Sequence, residues 1–181
     1  TVMAAVPRFY EKVHMKIQES LASMPDRKRK IFNWALSVGR EESILRMQGK
    51  PLSLGLKWKY FWAKKLVLKK LHERVGGRLR LFISGGAPLN RDIAEFFFAA
   101  GFTILEGYGL SETSPIISIN QEGEVKLGTV GKPAPGVKVK IASDGEILAQ
   151  GPNIMQGYLN LPEESAAVLQ NGWFHTGDIG E

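Results

Sequence analysis

The sequence contains no cysteine and only three histidines in 181 residues. Disulfides and thiolate metal centres are therefore excluded, and His14, His72 and His175 lie too far apart to match a zinc-ligand spacing. A chain without cysteine fits an intracellular setting, and a cytoplasmic location is expected. No apolar run approaches the ~20 residues that a membrane span requires, and no secretory leader is visible. Internal repeats and low-complexity tracts are also missing, which argues against a solenoid or a disordered tether. The chain opens on Thr1-Val-Met3 and stops at Ile179-Gly-Glu181, so a piece of a longer protein is expected.

What is present is ordinary for a globular protein, with 44% hydrophobic and 23% charged residues. The length suffices for one domain or two small ones. The net charge of +6 conceals an asymmetry, because residues 1–75 carry 17 Lys/Arg against 6 Asp/Glu and residues 76–181 carry 7 against 12. A basic half joined to an acidic half points to different surroundings for each. An anionic membrane surface, an acidic substrate such as coenzyme A, or nucleic acid would suit the basic half.

Residues 1–76 read as a mainly helical basic segment. Pro7 opens a helical pattern that runs to about Ser23, with Phe9, Val13, Ile17 and Leu21 near helical spacing. A second helix is expected from Asp26 to Met47, with Ile31, Phe32, Trp34, Ala35 and Val38 facing inward, and Gln48-Gly-Lys-Pro51 ends it. A third stretch, Leu56 to Val75, mixes Trp58, Tyr60, Phe61, Trp62, Leu66 and Leu68 with six lysines. It reads either as a basic amphipathic helix able to lie on anionic lipid, or as a surface helix whose aromatic face packs on its own core. Aromatics at helical spacing, rather than on a stacking sheet, disfavour nucleic acid. Nothing in the pattern specifies an oligomeric state.

The character changes after Gly76-Gly77. Arg78–Ile83 reads as a strand, Ser84-Gly-Gly-Ala-Pro88 as a turn, Leu89–Ala100 as a helix capped by Asn90, and Phe102–Leu105 as the next strand. Residues 77–120 thus form part of a βαβ sheet, and such sheets bind ligands beyond the carboxyl ends of their strands. From about Gly123 short strands dominate (Val137–Ile141, Glu146–Ala149, Trp173-Phe174), with one helix near Leu161–Leu169 opened by Pro162 and two acids. Residues 121–181 read as a small antiparallel β subdomain, a distorted barrel. The fold class is α/β with these three parts in series.

Three glycine-rich segments carry the chemistry. In Gly107-Tyr-Gly-Leu-Ser-Glu-Thr-Ser-Pro115, glycines let backbone N–H groups approach an anion in a turn with φ > 0. Ser111 and Thr113 offer hydroxyls to a phosphate, and Glu112 offers a carboxylate to a hard cation that bridges phosphate oxygens. Ser84–Pro88 is a companion turn with a weaker signal, since a Gly-Gly-Ala-Pro turn usually just begins a helix. Asp178, after Thr176-Gly177, can accept hydrogen bonds from a ribose diol, or belong to an ordinary Asx-type turn. His175 reads as a surface or packing residue rather than a general base.

Taken in order, Ser84-Gly-Gly-Ala-Pro-Leu89, Gly107-Tyr-Gly-Leu-Ser-Glu-Thr113, Gly128-Thr-Val-Gly-Lys-Pro133, Gly145-Glu-Ile-Leu148 with Gly151, Gly157-Tyr158 and Gly172-Trp-Phe-His-Thr-Gly-Asp178 resemble the adenylate-forming (AMP-binding) enzymes. Val6-Pro-Arg-Phe-Tyr-Glu-Lys-Val13 looks like the matching stretch of long-chain fatty-acid–CoA ligases. The resemblance implies an acid–thiol ligase that turns ATP and a fatty acid into an acyl-adenylate with release of pyrophosphate, then passes the acyl group to coenzyme A. It implies that Gly86, Ala87 and Pro88, with Glu106, Gly107, Tyr108 and Gly109, line the adenine pocket, Tyr108 stacking on the base. It further implies that Ser111 touches the α-phosphate, Glu112 binds magnesium and Asp178 binds the ribose, with Gly107 and Gly128–Gly131 near the acyl chain. The family's Ser/Thr/Gly-rich phosphate loop, hinge arginine and carboxy-terminal lysine domain are not in the sequence, so this chain alone is expected to catalyse neither half-reaction. A ligase for an aryl, medium-chain or amino acid, and a membrane-binding module without catalysis, are the competing readings.

Overall fold

The computed structural model describes residues 1–181. Contacts group the chain into two units, Thr1–Glu106 with Asn120–Thr129, and Gly107–Ile119 with Val130–Glu181.

The first unit is organised by three parallel strands, β1 (Val2–Ala5), β2 (Leu81–Ser84) and β3 (Thr103–Tyr108, up to Glu106 in this unit), in the order β1-β2-β3. Val2 pairs with Leu81, and Leu81 with Thr103. Sequence reading misses β1, because Val-Met-Ala-Ala neither alternates nor carries turn signals and its partner lies far along the chain. Parallel neighbours need a crossover, and helices supply both. Between β1 and β2 run α1 (Pro7–Ala22), α2 (Asp26–Met47), and a helical run made of α3 (Leu54–Ala63), a π-helical turn (Lys64–Leu68) and α4 (Lys69–Arg74). Between β2 and β3 lies α5 (Arg91–Ala99). Its cap is the expected Asn90, whose Oδ1 accepts from the backbone N–H of Asp92 at 2.8 Å and of Ile93 at 3.4 Å. The βαβ element expected from the sequence is present.

Aromatic rings fix the helices on this sheet. Tyr10 is fully buried and meets Phe82 and Phe97 edge-on, each at 5.6 Å, while Phe102 meets Phe82 at 5.5 Å. Burying one such ring contributes ~1.5–3 kcal/mol, so this cluster outweighs local helix propensity in seating α1 and α5. The Tyr10 hydroxyl is satisfied by donating to the Ile83 carbonyl at 3.0 Å, and burial pushes its pKa up to about 12. Gly39 of α2 allows a close approach, since a Cβ there would sit 1.9 Å from the Ala99 carbonyl oxygen of α5.

Two expectations about these helices are corrected. On α1 the buried anchors are Pro7, Tyr10 and Leu21, while Phe9 is exposed. On α2, Phe32, Ala35 and Val38 are buried, but Ile31 and Trp34 are 47% and 38% exposed. The third helical run buries Leu56, Ala63, Leu68 and Leu71 and leaves Leu54, Trp58, Phe61 and Leu66 outside. Tyr60 and Trp62 are half-buried, so the run buries its aliphatic residues fully and two of its four aromatic rings in part. No helix is long and apolar enough to cross a membrane.

In the second unit Gly107 and Tyr108 end β3 and pair antiparallel with β4 (Ser118–Ile119), which pairs with β5 (Lys132–Pro133). A separate antiparallel sheet is built from β6 (Lys138–Ile141), β7 (Glu146–Gln150), β8 (Leu169–Gln170) and β9 (Trp173–Ile179), in the order β6-β7-β9-β8. The turn between β6 and β7 uses Gly145 at φ +91°, and Asp144 Oδ1 accepts from the Glu146 N–H at 3.1 Å. Helix α6 (Pro162–Val168) begins with Pro162 and the two glutamates that the sequence placed there.

Candidate nucleotide-binding site

In the first unit the candidate residues gather at the carboxyl ends of β2 and β3. Gly86 takes φ +83°, which favours glycine, and Gly86, Ala87 and Pro88 are exposed. Glu106, on the last turn of the pleat in this unit, is buried, and its Oε2 accepts the Leu89 backbone N–H at 3.4 Å. Burial raises the Glu106 pKa, opposed by hydrogen bonds from the backbone N–H groups of Leu89 and Gly128. One carboxylate thereby links the end of the Gly86–Pro88 turn to the Gly128 loop. Asn120 closes that loop, donating to the Thr129 carbonyl at 2.5 Å and accepting from the Lys126 N–H at 3.1 Å. The buried Ser84 hydroxyl, at the head of the turn, has no hydrogen-bond partner. Two clefts of about 510 Å³ each in this unit are lined by Arg40 and Ile44 of α2 with Glu95 or Phe96 of α5, and neither includes Gly86–Pro88 or Glu106.

In the second unit the segment 107–115 departs from the expected glycine turn. Gly107 and Tyr108 are strand residues, and neither Gly107 nor Gly109 has positive φ; the left-handed residue is Ser114 at φ 54°. Gly109 is needed for space, since a Cβ there would lie 1.6 Å from the Pro115 carbonyl oxygen. Ser111–Thr113 form a single 3₁₀ turn with Ser111 exposed and Glu112 half-buried. Thr113 is not a phosphate donor: it is fully buried, accepts the Leu110 N–H at 3.0 Å and donates to the Pro115 carbonyl at 2.7 Å. Its hydroxyl is consumed in holding the loop.

A second segment braces the same loop. The Asn153 amide donates to the carbonyls of Thr113 and Ile116, both at 2.9 Å, and the Met155 N–H donates to the Glu112 carbonyl at 2.7 Å. The Tyr158 hydroxyl donates to Glu112 Oε1 at 3.0 Å. Neither Asn153 nor Tyr158 was read as a site residue. Only the motif Gly157-Tyr158 signalled this segment, and a contact spanning 46 residues has no local signature.

Tyr108 and Asp178 come together, the phenol donating to Asp178 Oδ2 at 2.7 Å. Asp178 sits in β9 rather than in an Asx-type turn, and Gly177 at φ +74° bulges the strand to turn it outward. The bulge is held by the Gly177 N–H on Glu146 Oε1 at 2.8 Å and the Asp178 N–H on Thr176 Oγ1 at 3.1 Å. His175 Nδ1 lies 2.7 Å from Glu146 Oε2, which gives it a packing role. Partial burial first, then the hydrogen bond to Asp178, push the Tyr108 pKa up to about 12. A neutral ring beside an exposed carboxylate is what a nucleoside requires, one flat apolar face for a base and one acceptor for a diol.

The residues can hold a cation only in a particular way. No group of three or more His, Cys, Asp or Glu side chains gathers to form a cage. Glu112 supplies one carboxylate, with one oxygen already held by Tyr158. That fits magnesium, which takes one or two carboxylates and completes its octahedron with phosphate oxygens and water.

A model of the AMP-binding enzyme family matches residues 1–159. Long-chain-fatty-acid–CoA ligase FadD15 of Mycobacterium bovis is 41% identical over 180 residues, covering 99% of this chain and 30% of that protein. Long-chain-fatty-acid–CoA ligase ACSBG2 of Xenopus laevis is 35% identical over 188 residues, covering 100% of this chain and 25% of its own length. The chain thus spans about a third or less of the curated relatives it matches. Among solved structures, O-succinylbenzoate coenzyme A synthetase from Bacillus subtilis with ATP and magnesium ion superposes with TM-score 0.54 at 33% identity over 62% of this chain and 27% of that one. A benzoate CoA ligase from Burkholderia xenovorans gives TM-score 0.53 at 32% identity over 55% of this chain and 23% of that one. The chain belongs to the AMP-binding enzyme family.

Proposed function

We propose that the full-length protein is an ATP-dependent long-chain fatty-acid–CoA ligase, and that this chain carries the adenosine and magnesium side of its active site. The observation that supports this most is the Tyr108–Asp178 pair, an aromatic ring and a diol acceptor joined by a 2.7 Å hydrogen bond from the phenol, in a chain of this family. In this reading Tyr108 stacks on adenine, Asp178 accepts the ribose hydroxyls, and Gly107 and Gly109 line the base. Ser111, exposed at the start of its 3₁₀ turn, donates to the α-phosphate. Glu112 holds magnesium, which supplies positive charge to the phosphate oxygens as the fatty-acid carboxylate attacks the α-phosphorus. The names of the sequence relatives support a fatty acid over an aryl acid, although the solved structures cited act on aryl acids. Coenzyme A then displaces AMP to give the thioester.

The test is pyrophosphate release by the full-length protein across a panel of fatty, aryl and amino acids. Activity confined to long-chain fatty acids supports the reading; exclusive use of an aryl or amino acid overturns it.

A second reading concerns the basic half. Leu54, Trp58 and Phe61 recur at i, i+4 and i+7 on α3 and are 84%, 67% and 57% exposed, beside Lys57, Lys64 and Lys65. Exposed tryptophan and phenylalanine rimmed by lysine suit the interface of an anionic bilayer. Sedimentation with vesicles should require anionic lipid, weaken with salt and fall in Trp58→Ser. Binding that ignores lipid charge, or is unchanged by Trp58→Ser, assigns this face to protein packing instead.

A further inference from the structure

We infer that Tyr158 is the positioning residue of the Glu112 carboxylate, fixing Oε1 so that Oε2 is the oxygen presented to a metal–phosphate complex. This rests on the reading that Glu112 holds the cation. The geometry behind it is a tether with no free joint. The Tyr158 hydroxyl donates to Glu112 Oε1 at 3.0 Å, and the Tyr158 N–H donates to Ser165 Oγ at 2.8 Å. Ser165 Oγ in turn donates to the Leu161 carbonyl at 2.7 Å, anchoring the tether on α6. Gly157 at φ +148° delivers the tyrosine, and a Cβ there would meet Ser165 Oγ at 2.9 Å. From the other side, the Met155 N–H fixes the Glu112 carbonyl at 2.7 Å. The same short segment therefore holds both the main chain and the side chain of Glu112.

The physical consequence is preorganisation. A glutamate on a half-buried turn otherwise samples several rotamers, and ordering it would be charged against cation binding. With Oε1 occupied by a phenol, that ordering is complete on folding. The hydrogen bond also disfavours chelation through both oxygens, a mode that calcium tolerates and magnesium's strict octahedron does not favour. Tyrosine is suited to the task because its one polar atom sits at the end of a rigid ring with only two side-chain torsions.

The experiment is titration calorimetry of ATP into the full-length protein, with magnesium and with chelator, for wild type, Glu112→Gln, Tyr158→Phe and the double variant. Outer partners of metal ligands change metal affinity by roughly 10–100-fold, so Tyr158→Phe should lose about tenfold of the magnesium-dependent gain in ATP affinity. Its AMP affinity in chelator should stay at wild type, and it should add nothing in the Glu112→Gln background. If Glu112→Gln loses the magnesium gain and Tyr158→Phe keeps it, the positioning role is refuted. An equal fall in AMP affinity in chelator assigns Tyr158 a merely structural part and also refutes it. If Glu112→Gln keeps the whole gain, the metal reading of Glu112 itself fails.

Discussion

Gly109→Ala tests how the 107–115 loop is built. A Cβ at this position would lie 1.6 Å from the Pro115 carbonyl oxygen, 2.7 Å from the Pro115 carbonyl carbon and 3.0 Å from the Ile116 Cα. Backbone cannot rotate away as a side-chain tip would, so Pro115–Ile116 must retreat by more than an ångström. That retreat breaks the Asn153 bond to the Ile116 carbonyl and the Thr113 bond to the Pro115 carbonyl. Overpacking costs ~1–3 kcal/mol and each lost hydrogen bond ~0.5–1.5 kcal/mol, so about 2–4 kcal/mol is expected after partial relaxation. Gly107→Ala is the control, because its nearest neighbours lie at 3.5 Å and its φ is not positive. Urea unfolding of the full-length protein followed by fluorescence, with AMP binding measured in parallel, reads both effects. Gly109→Ala should lose stability and nucleotide affinity together, since Glu112 moves with the loop. Equal stability of the Gly109 and Gly107 variants would refute the close-approach argument.

Other consequences follow from the first unit. Tyr10→Phe removes the hydrogen bond from the buried phenol to the Ile83 carbonyl and should cost ~0.5–1.5 kcal/mol in urea unfolding, more than the same change at an exposed tyrosine. His72 has a pKa lowered chiefly by burial, its ring stacked 4.0 Å from Phe102. A depressed folded pKa means that its contribution is present above the ordinary histidine pKa of ~6.5 and is lost as pH falls below it. His72→Gln should therefore flatten the loss of melting temperature between about pH 7 and 5; an unchanged slope would contradict this. Glu106 has the opposite sign, since burial raises its pKa and ionisation disfavours the fold. Glu106→Gln should gain on wild type as pH rises from ~4 to 7, because only the wild type must ionise.

Much of the fold was legible where local chemistry decides it. Pro7 and Asn90 mark helix starts, and α1 and α5 begin beside them. Pro162 with two glutamates did the same for α6. Elements made by distant pairing were not legible: β1 answers to Leu81–Ser84, and the two-residue strands β4 and β5 exist only through their ladders. Burial on α2 and α3 misled, since Trp34, Trp58 and Phe61 carry strong apolar signals yet stand outside. In the candidate site, residue types were legible but their duties were not. Thr113 has the composition of a phosphate donor, yet its hydroxyl is spent on Leu110 and Pro115. Asn153 looks unremarkable in sequence and Tyr158 is marked only by the Gly157-Tyr158 motif, yet they hold the Glu112 loop by bonds spanning 40 and 46 residues.

The central claim is that Tyr108 and Asp178 form the adenosine half of an adenylating site. Fatty-acid-dependent ATP–pyrophosphate exchange by the full-length protein tests it most directly, comparing wild type with Asp178→Ala. Losing a charged acceptor of two ribose hydroxyls costs ~3–4 kcal/mol, so exchange at low ATP should fall by roughly 10²–10³-fold with a raised KM for ATP. Exchange at the wild-type rate, with an unchanged KM for ATP, would contradict the account.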